Sequence, residues 1–229
     1  PALAAMSHDD SHHPLPLAVK SVALFYRTDL LESAPTETKQ FFDMDHMYKG
    51  SPASYNLVYE NTNLYPHAAW LHGFGASLFT GSERQDLTTS EAVAALEFAR
   101  KLDREKVVPG GVDSRMVATL FNEGKAAMAI SGPWFQNDIN KDVPWAVATL
   151  PTVSETGLPA KPFLGVEGIL MSSRARDKDK AFTVLEMLTR DKAAIARARV
   201  ARQVVPNLAA YQEGDLASDG ALMTFRARR

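Results

Sequence analysis

The run Lys125-Ala126-Ala127-Met128-Ala129-Ile130-Ser131-Gly132-Pro133-Trp134 constrains the fold more than any other stretch of this chain. A short series of small and apolar residues that ends in Gly-Pro reads as a buried strand stopping at a turn. The Trp beyond the break offers a flat apolar face and one N–H donor, which suits a ring-shaped, half-polar ligand. A core Trp capping the strand end fits the same ten residues equally well. Both readings stand until the rest of the chain is considered.

Elements on either side of this run alternate between strand and helix. Leu17 to Tyr26 is an apolar run interrupted by Lys20-Ser21, predicting one or two strands, and Leu57-Val58-Tyr59 predicts another. Thr88-Thr89-Ser90-Glu91 has the hydroxyls and the carboxylate that start a helix, with Ala92, Leu96, Ala99 and Leu102 on its apolar face. A second helix begins at Ser114, turns Val117, Leu120 and Phe121 inward and stops at Gly124. Strands follow at Trp145 to Leu150 and Phe163 to Met171, the latter with two glycines that permit close backbone approach. Asp177 to Thr189 reads as a helix with Ala181, Phe182, Leu185 and Leu188 inward, and Asp191 as the cap of its successor. Residues 1–15 read as irregular. The sum is an α/β chain without internal repeats or low-complexity tracts.

Composition narrows the function classes. With 229 residues the chain suffices for one large domain or two small ones, and its net charge of −2 gives no general attraction to nucleic acid or anionic membrane. Basic residues gather at Arg197 to Arg202 and Arg226 to Arg229, runs that are ordinarily solvated helix faces or tails. The absence of cysteine excludes disulfides, thiolate zinc sites and a Cys nucleophile. No apolar stretch approaches the about 18 residues of a membrane helix. Pro1 to Met6 lacks the basic start and the length of a signal peptide, so any export signal is expected to lie upstream or to be absent.

No phosphate-binding Gly-rich loop, nucleophile elbow or His-Glu-x-x-His occurs. His8, Asp9, Asp10, His12 and His13 offer metal-ligand chemistry, but a Ser-rich run near a chain end is better read as a polar loop. The expectation is a protein without catalysis or cofactor.

The order of the pieces resembles the maltose/maltodextrin-binding proteins of bacterial sugar importers, among the family 1 extracellular solute-binding proteins. The resemblance is carried by Pro16-Leu17-Ala18-Val19, by Ala23 to Leu31, and by Phe121-Asn122-Glu123-Gly124-Lys125-Ala126-Ala127-Met128. It continues through Ile130-Ser131-Gly132-Pro133-Trp134, Leu150-Pro151-Thr152 and Lys161-Pro162-Phe163-Leu164-Gly165-Val166. It implies a type II periplasmic-binding-protein-like fold, two α/β lobes joined by crossing strands with the ligand between them. Aligned this way, 1–15 is an irregular N-terminal segment, 16–165 the second lobe with the first hinge crossing, and 166–229 the return crossing with part of the first lobe's helices. Most of the first lobe has no counterpart, so an incomplete clamshell is expected.

The same resemblance nominates ligand contacts. Sugars present hydroxyl edges and C–H faces, so a site needs directional polar groups and aromatic planes. Trp134 and Tyr65 fall at stacking positions. Asn63 and Lys20 fall where the family has glutamates, and Glu167 in the return crossing can stand in for the lost carboxylates. Asn donates and accepts, whereas Lys only donates, so the hydroxyl pattern is expected to differ from that for maltose. The implied partners are an oligosaccharide and the permease of an ATP-driven (ABC) importer, outside the cytoplasm. The implied alternative is a scaffold or docking piece without sugar affinity, whose uncovered lobe surface invites self-association.

Overall fold

A computed structural model of the chain describes residues 2–8, 11–12, 14–80, 84–85 and 87–226. Its main elements, in chain order, are β1 (Leu15–Lys20), β2 (Ala23–Arg27), β3 (Tyr55–Tyr59), α1 (Leu64–Gly73), α2 (Ser90–Arg104) and α3 (Ser114–Asn122). They continue with β4 (Ala126–Ser131), β5 (Trp145–Ala148), β6 (Gly165–Ile169), α4 (Lys178–Thr189), α5 (Asp191–Val200) and, after a single turn at Gly214–Ala217, α6 (Gly220–Arg226). The chain divides into two compact units. A terminal unit gathers Pro1–Ser21, Gly132–Gln136 and Leu164–Arg229, and a central unit gathers Val22–Ser131 and Asn137–Phe163.

The central unit is built on a four-stranded mixed sheet in the order β3-β4-β2-β5. The run Ala126–Ser131 is one of its two inner strands, β4, parallel to β3 and antiparallel to β2. Ala126 to Ile130 are buried without alternation because strands flank both edges and side chains cover both faces. Trp70, on α1, anchors the main core, with ring centroids of Phe98, Phe41 and Tyr59 at 5.3, 6.1 and 6.4 Å. Burial pushes the Tyr59 phenol up to about 12, so it packs as a neutral ring.

Helix starts in this unit follow capping chemistry. The side chains of Asn63, Thr89 and Asp113 accept the backbone N–H of Tyr65, Ala92 and Met116. Pro66 sits in the first turn of α1, where its missing N–H costs nothing. Helix α3 ends before Gly124, whose φ of +70° favours glycine. Arg27 closes the same corner. Its Nη1 donates to the carbonyls of Phe121 and Asn122 at 3.1 and 2.9 Å, while Asp29 receives Nε and Nη2. A cation on the terminal carbonyls complements the helix dipole, which gives the Arg27-Thr28-Asp29 triplet a structural reason.

The terminal unit contains the antiparallel pair β1/β6, with a bulge between Glu167 and Gly168, and the helices α4 to α6. Among the described residues, three arginines of its basic runs have partners within the unit. Arg199 pairs with Asp215 and Glu213, Arg202 pairs with Asp219, and Arg226 lies over the Tyr211 ring at 4.2 Å.

Several expectations are corrected. Residues 1–15 include a 3-10 turn at Ala4–Met6 and two-residue strands at Ser7–His8 and Ser11–His12, rather than no structure. The buried face of α2 is Ala92, Ala95, Phe98 and Leu102, because Phe98 packs on Trp70 and rotates Leu96 into solvent. Only Leu185 of α4 is fully inward; Phe182 and Leu188 are exposed. Asp191 is not a cap, since Arg190 holds that position and Asp191 instead accepts from Asn207. Asp9, Asp10 and His13 of the His8–His13 run, expected to be a polar loop, lie outside the described residues. Among the described residues no cluster of three His, Asp or Glu can hold a metal, and no helix is long and apolar enough to cross a membrane.

Candidate functional site

Trp134 is carried by the 3-10 turn Pro133–Asn137 that follows β4 directly. Pro133 lacks an N–H and cannot continue the β4 ladder, so the strand ends there by chemistry and not by chance. The neighbours Pro133 and Phe135 are buried, whereas Trp134 keeps 44% of its surface exposed. The core-cap reading of this Trp is therefore excluded. A large exposed aromatic beside buried anchors is the form of a contact residue.

Lys20 and Glu167 belong to the same terminal unit and are brought together. In the β1/β6 ladder Lys20 faces Gly165 and Ala18 faces Glu167, so Lys20 and Glu167 are diagonal neighbours on one face. Gly165 has no side chain, and the Lys20 stem lies across it; a Cβ there would meet Lys20 Cγ at 3.0 Å. Nζ thereby reaches Glu167 Oε1 at 2.7 Å. Both groups are well exposed, so the pair contributes little to stability, about 0–1 kcal/mol. The sequence treats these two residues as separate contacts. The structure makes them one polar unit with a donor and an acceptor side by side.

Asn63 and Tyr65 lie together at the start of α1 in the central unit. Asn63 Oδ1 accepts the Tyr65 N–H at 2.9 Å, so its carbonyl serves the helix first and Nδ2 is the group suited to meet a hydroxyl. Tyr65 is half-buried beside Phe163, centroids 6.2 Å apart, and Phe163 meets His72 edge-on at 5.3 Å. The carbonyl of Lys161 fastens this strap to His72 Nδ1 at 2.6 Å. Phe163 and His72 escaped sequence reasoning. The Lys161-Pro162-Phe163 motif was the available signal, but its partner lies 89 residues away in the chain.

A separate concavity of about 570 Å³ in the central unit is lined by Thr36, Glu37, Lys39, Gln40, Asp43 and His46. Four of its six lining residues are engaged with one another. Gln40 accepts the N–H of Thr36 and Glu37, and Lys39 pairs with Glu37, which keeps the Glu37 carboxyl below its ordinary range. None of the predicted contacts lines it.

The family described as bacterial extracellular solute-binding protein matches residues 1–224, and the chain belongs to it. The maltodextrin-binding protein MdxE of Bacillus subtilis is 27% identical over 90% of this chain, and a galactooligosaccharide-binding protein of the same organism is 25% identical over 96%. The chain spans about half the length of these relatives, 53% and 54%. Among solved structures, the maltose-maltodextrin binding protein of Alicyclobacillus acidocaldarius superposes with a TM-score of 0.86 at 22% identity, covering 99% of this chain and 62% of its own. The maltose/maltodextrin-binding domain of Bdellovibrio bacteriovorus, bound to maltotriose, gives 0.82 at 24%, covering 100% and 63%. The fold is thus the type II periplasmic-binding-protein fold, represented in part.

Proposed function

We propose that this chain carries an oligosaccharide-binding surface of a solute-binding protein serving an ABC sugar importer outside the cytoplasm, without catalysis or cofactor. The observation that carries the reading is Trp134, exposed on a rigid strand-ending turn where a pyranose C–H face can stack. Within the terminal unit the Lys20–Glu167 pair offers N–H and carboxylate oxygen to adjacent hydroxyls of one ring. The central unit by itself offers Tyr65 as an aromatic plane and Asn63 Nδ2 as a hydroxyl donor. In this reading 16–165 is the second lobe with its first crossing and 166–229 the return with first-lobe helices. Similarity to proteins named as maltodextrin-binding and galactooligosaccharide-binding supports a sugar over other solutes.

The test is a thermal-shift panel with maltose, maltotriose, a galactooligosaccharide, trehalose and amino acids. A ligand that binds only the folded state raises Tm by linkage, so at least one oligosaccharide is expected to do so and the amino acids not. A Tm raised only by amino acids would remove the sugar assignment. Lys20→Glu breaks the pair and sets a second carboxylate beside Glu167. It is expected to reorder the panel toward maltose while changing stability by about 1 kcal/mol or less. An unchanged order would remove Lys20 from the contacts.

One observation favours a second reading, a docking piece without independent affinity. Helix α4 exposes Phe182, Val184, Met187 and Leu188, with Met187 at 58%. Apolar residues so spread around a helix are ordinarily covered. The isolated chain is therefore expected to self-associate at micromolar concentration, and Phe182→Lys with Met187→Lys to return it to monomer. Sedimentation velocity reads both, and a wild-type monomer at all concentrations would contradict the expectation.

A further inference from the structure

The Trp134 turn is held by more than its own backbone. Phe135 N–H donates to the Gly132 carbonyl at 3.1 Å, closing the turn behind the Trp. Gln136 Nε2 then donates to the Pro133 carbonyl at 3.2 Å, tying the end of the turn to its beginning with Trp134 enclosed. Gln136 Oε1 accepts from Arg202 twice, from Nε at 3.3 Å and Nη2 at 3.2 Å. The two contacts fix the amide orientation, because a flipped amide would set NH₂ against a guanidinium and oxygen against a carbonyl. Arg202 Nη2 also pairs with Asp219, whose other oxygen accepts the Leu222 N–H at 2.9 Å at the start of α6. Every residue in this chain of contacts belongs to the terminal unit.

Two further features point the same way. Arg202 has a φ of +56°, in the left-handed region where glycine is the ordinary choice after a helix such as α5. Arg202 keeps a long side chain at this position, and that side chain makes the contacts to Gln136 and Asp219. The segment bearing it is also pinned. Val19 N–H donates to Val204 O, and the Tyr211 hydroxyl bonds both backbone groups of Val205. Beneath the indole, a Cβ placed on Gly132 would overlap the six-membered ring of Trp134, so only glycine provides a floor for the ring in its present plane.

We propose that Gln136, Arg202 and Asp219, with Gly132 as the floor, form a positioning device that fixes the plane of the Trp134 indole. None of the four is assigned a contact with the ligand. Their role in recognition rests on the sugar-stacking reading of Trp134, whereas the positioning itself does not. Through them the orientation of the platform depends on the segment after α5, where Arg202 lies 66 positions beyond Gln136. A pyranose face is accepted only when the indole lies flat against it, so a rocking ring weakens binding without unfolding anything.

The chain contains three tryptophans, so fluorotryptophan labelling gives three ¹⁹F resonances, and Trp134→Phe assigns the relevant one. Arg202→Gly is the decisive variant, because glycine relieves the positive φ while removing the side chain. The Trp134 resonance is expected to shift or broaden, those of Trp70 and Trp145 to stay, and Tm to hold or rise. Gln136→Leu and Gly132→Ala are expected to move the same resonance, and Arg202→Lys to move it back toward wild type. A Trp134 resonance unchanged in both Arg202→Gly and Gln136→Leu, with both variants folded, would overturn the proposal. A separate titration with maltotriose is expected to show Arg202→Gly weakened about tenfold, within the cost of misplacing a group by about an ångström at a preorganised site. If Trp134→Ala leaves maltotriose affinity unchanged while Arg202→Gly still moves the resonance, the positioning device stands and the sugar reading falls.

Discussion

Trp70→Ala is expected to destabilise the central unit by about 3–5 kcal/mol, the usual cost of removing a large aromatic from a closed core. Trp70 is fully buried and is met by Phe41, Tyr59 and Phe98, from three separate segments. The vacated space cannot be refilled by a single rotamer change, because these neighbours are themselves packed against the sheet and helices. Trp70→Phe keeps a ring there and is expected to cost less. Denaturant unfolding checks both. A loss below about 1 kcal/mol for Trp70→Ala would mean that the cluster does not anchor the unit.

Trp134→Ala is expected to act in the opposite way, on binding and not on folding. Its exposed indole contributes little to the core, so unfolding midpoints should stay near wild type. Removing a stacked aromatic anchor typically costs about 1–3 kcal/mol of binding, or about 5- to 150-fold in affinity. Competition binding with an oligosaccharide reads this directly. An intact fold with unchanged affinity would place the sugar elsewhere. The two tryptophans thus separate what builds the protein from what it presents, although their side chains are chemically identical.

Much of the fold is legible in the sequence where its causes are local. The strand Ala126–Ser131 and its Gly-Pro-Trp end are specified within ten residues, and the Thr89 and Gly124 helix boundaries follow from capping and left-handed geometry. Helix α1 was not legible. It is buried on nearly all sides, His67 included, so it lacks the one-sided period that betrays a surface helix, and Pro66 in its first turn reads as a breaker. The register of α2 was missed because Phe98, not Leu96, meets the aromatic cluster, a fact of tertiary packing.

The candidate site shows the same division. Trp134 could be nominated because the strand, the break and the aromatic are contiguous. The Lys20–Glu167 pair joins residues 147 positions apart, through a ladder register and a missing Gly165 side chain that periodicity does not encode. Asn63 was read as a residue with both hydrogen-bonding faces available, but the helix it starts claims its oxygen. Sequence names the groups; the pairing decides which of their atoms can meet a ligand.

Isothermal titration of the 229-residue chain with maltotriose tests the central claim most directly. The account predicts saturable binding in the micromolar range, weakened by Trp134→Ala without loss of fold. A folded, monodisperse chain that takes up no oligosaccharide would contradict it and leave the docking reading in its place.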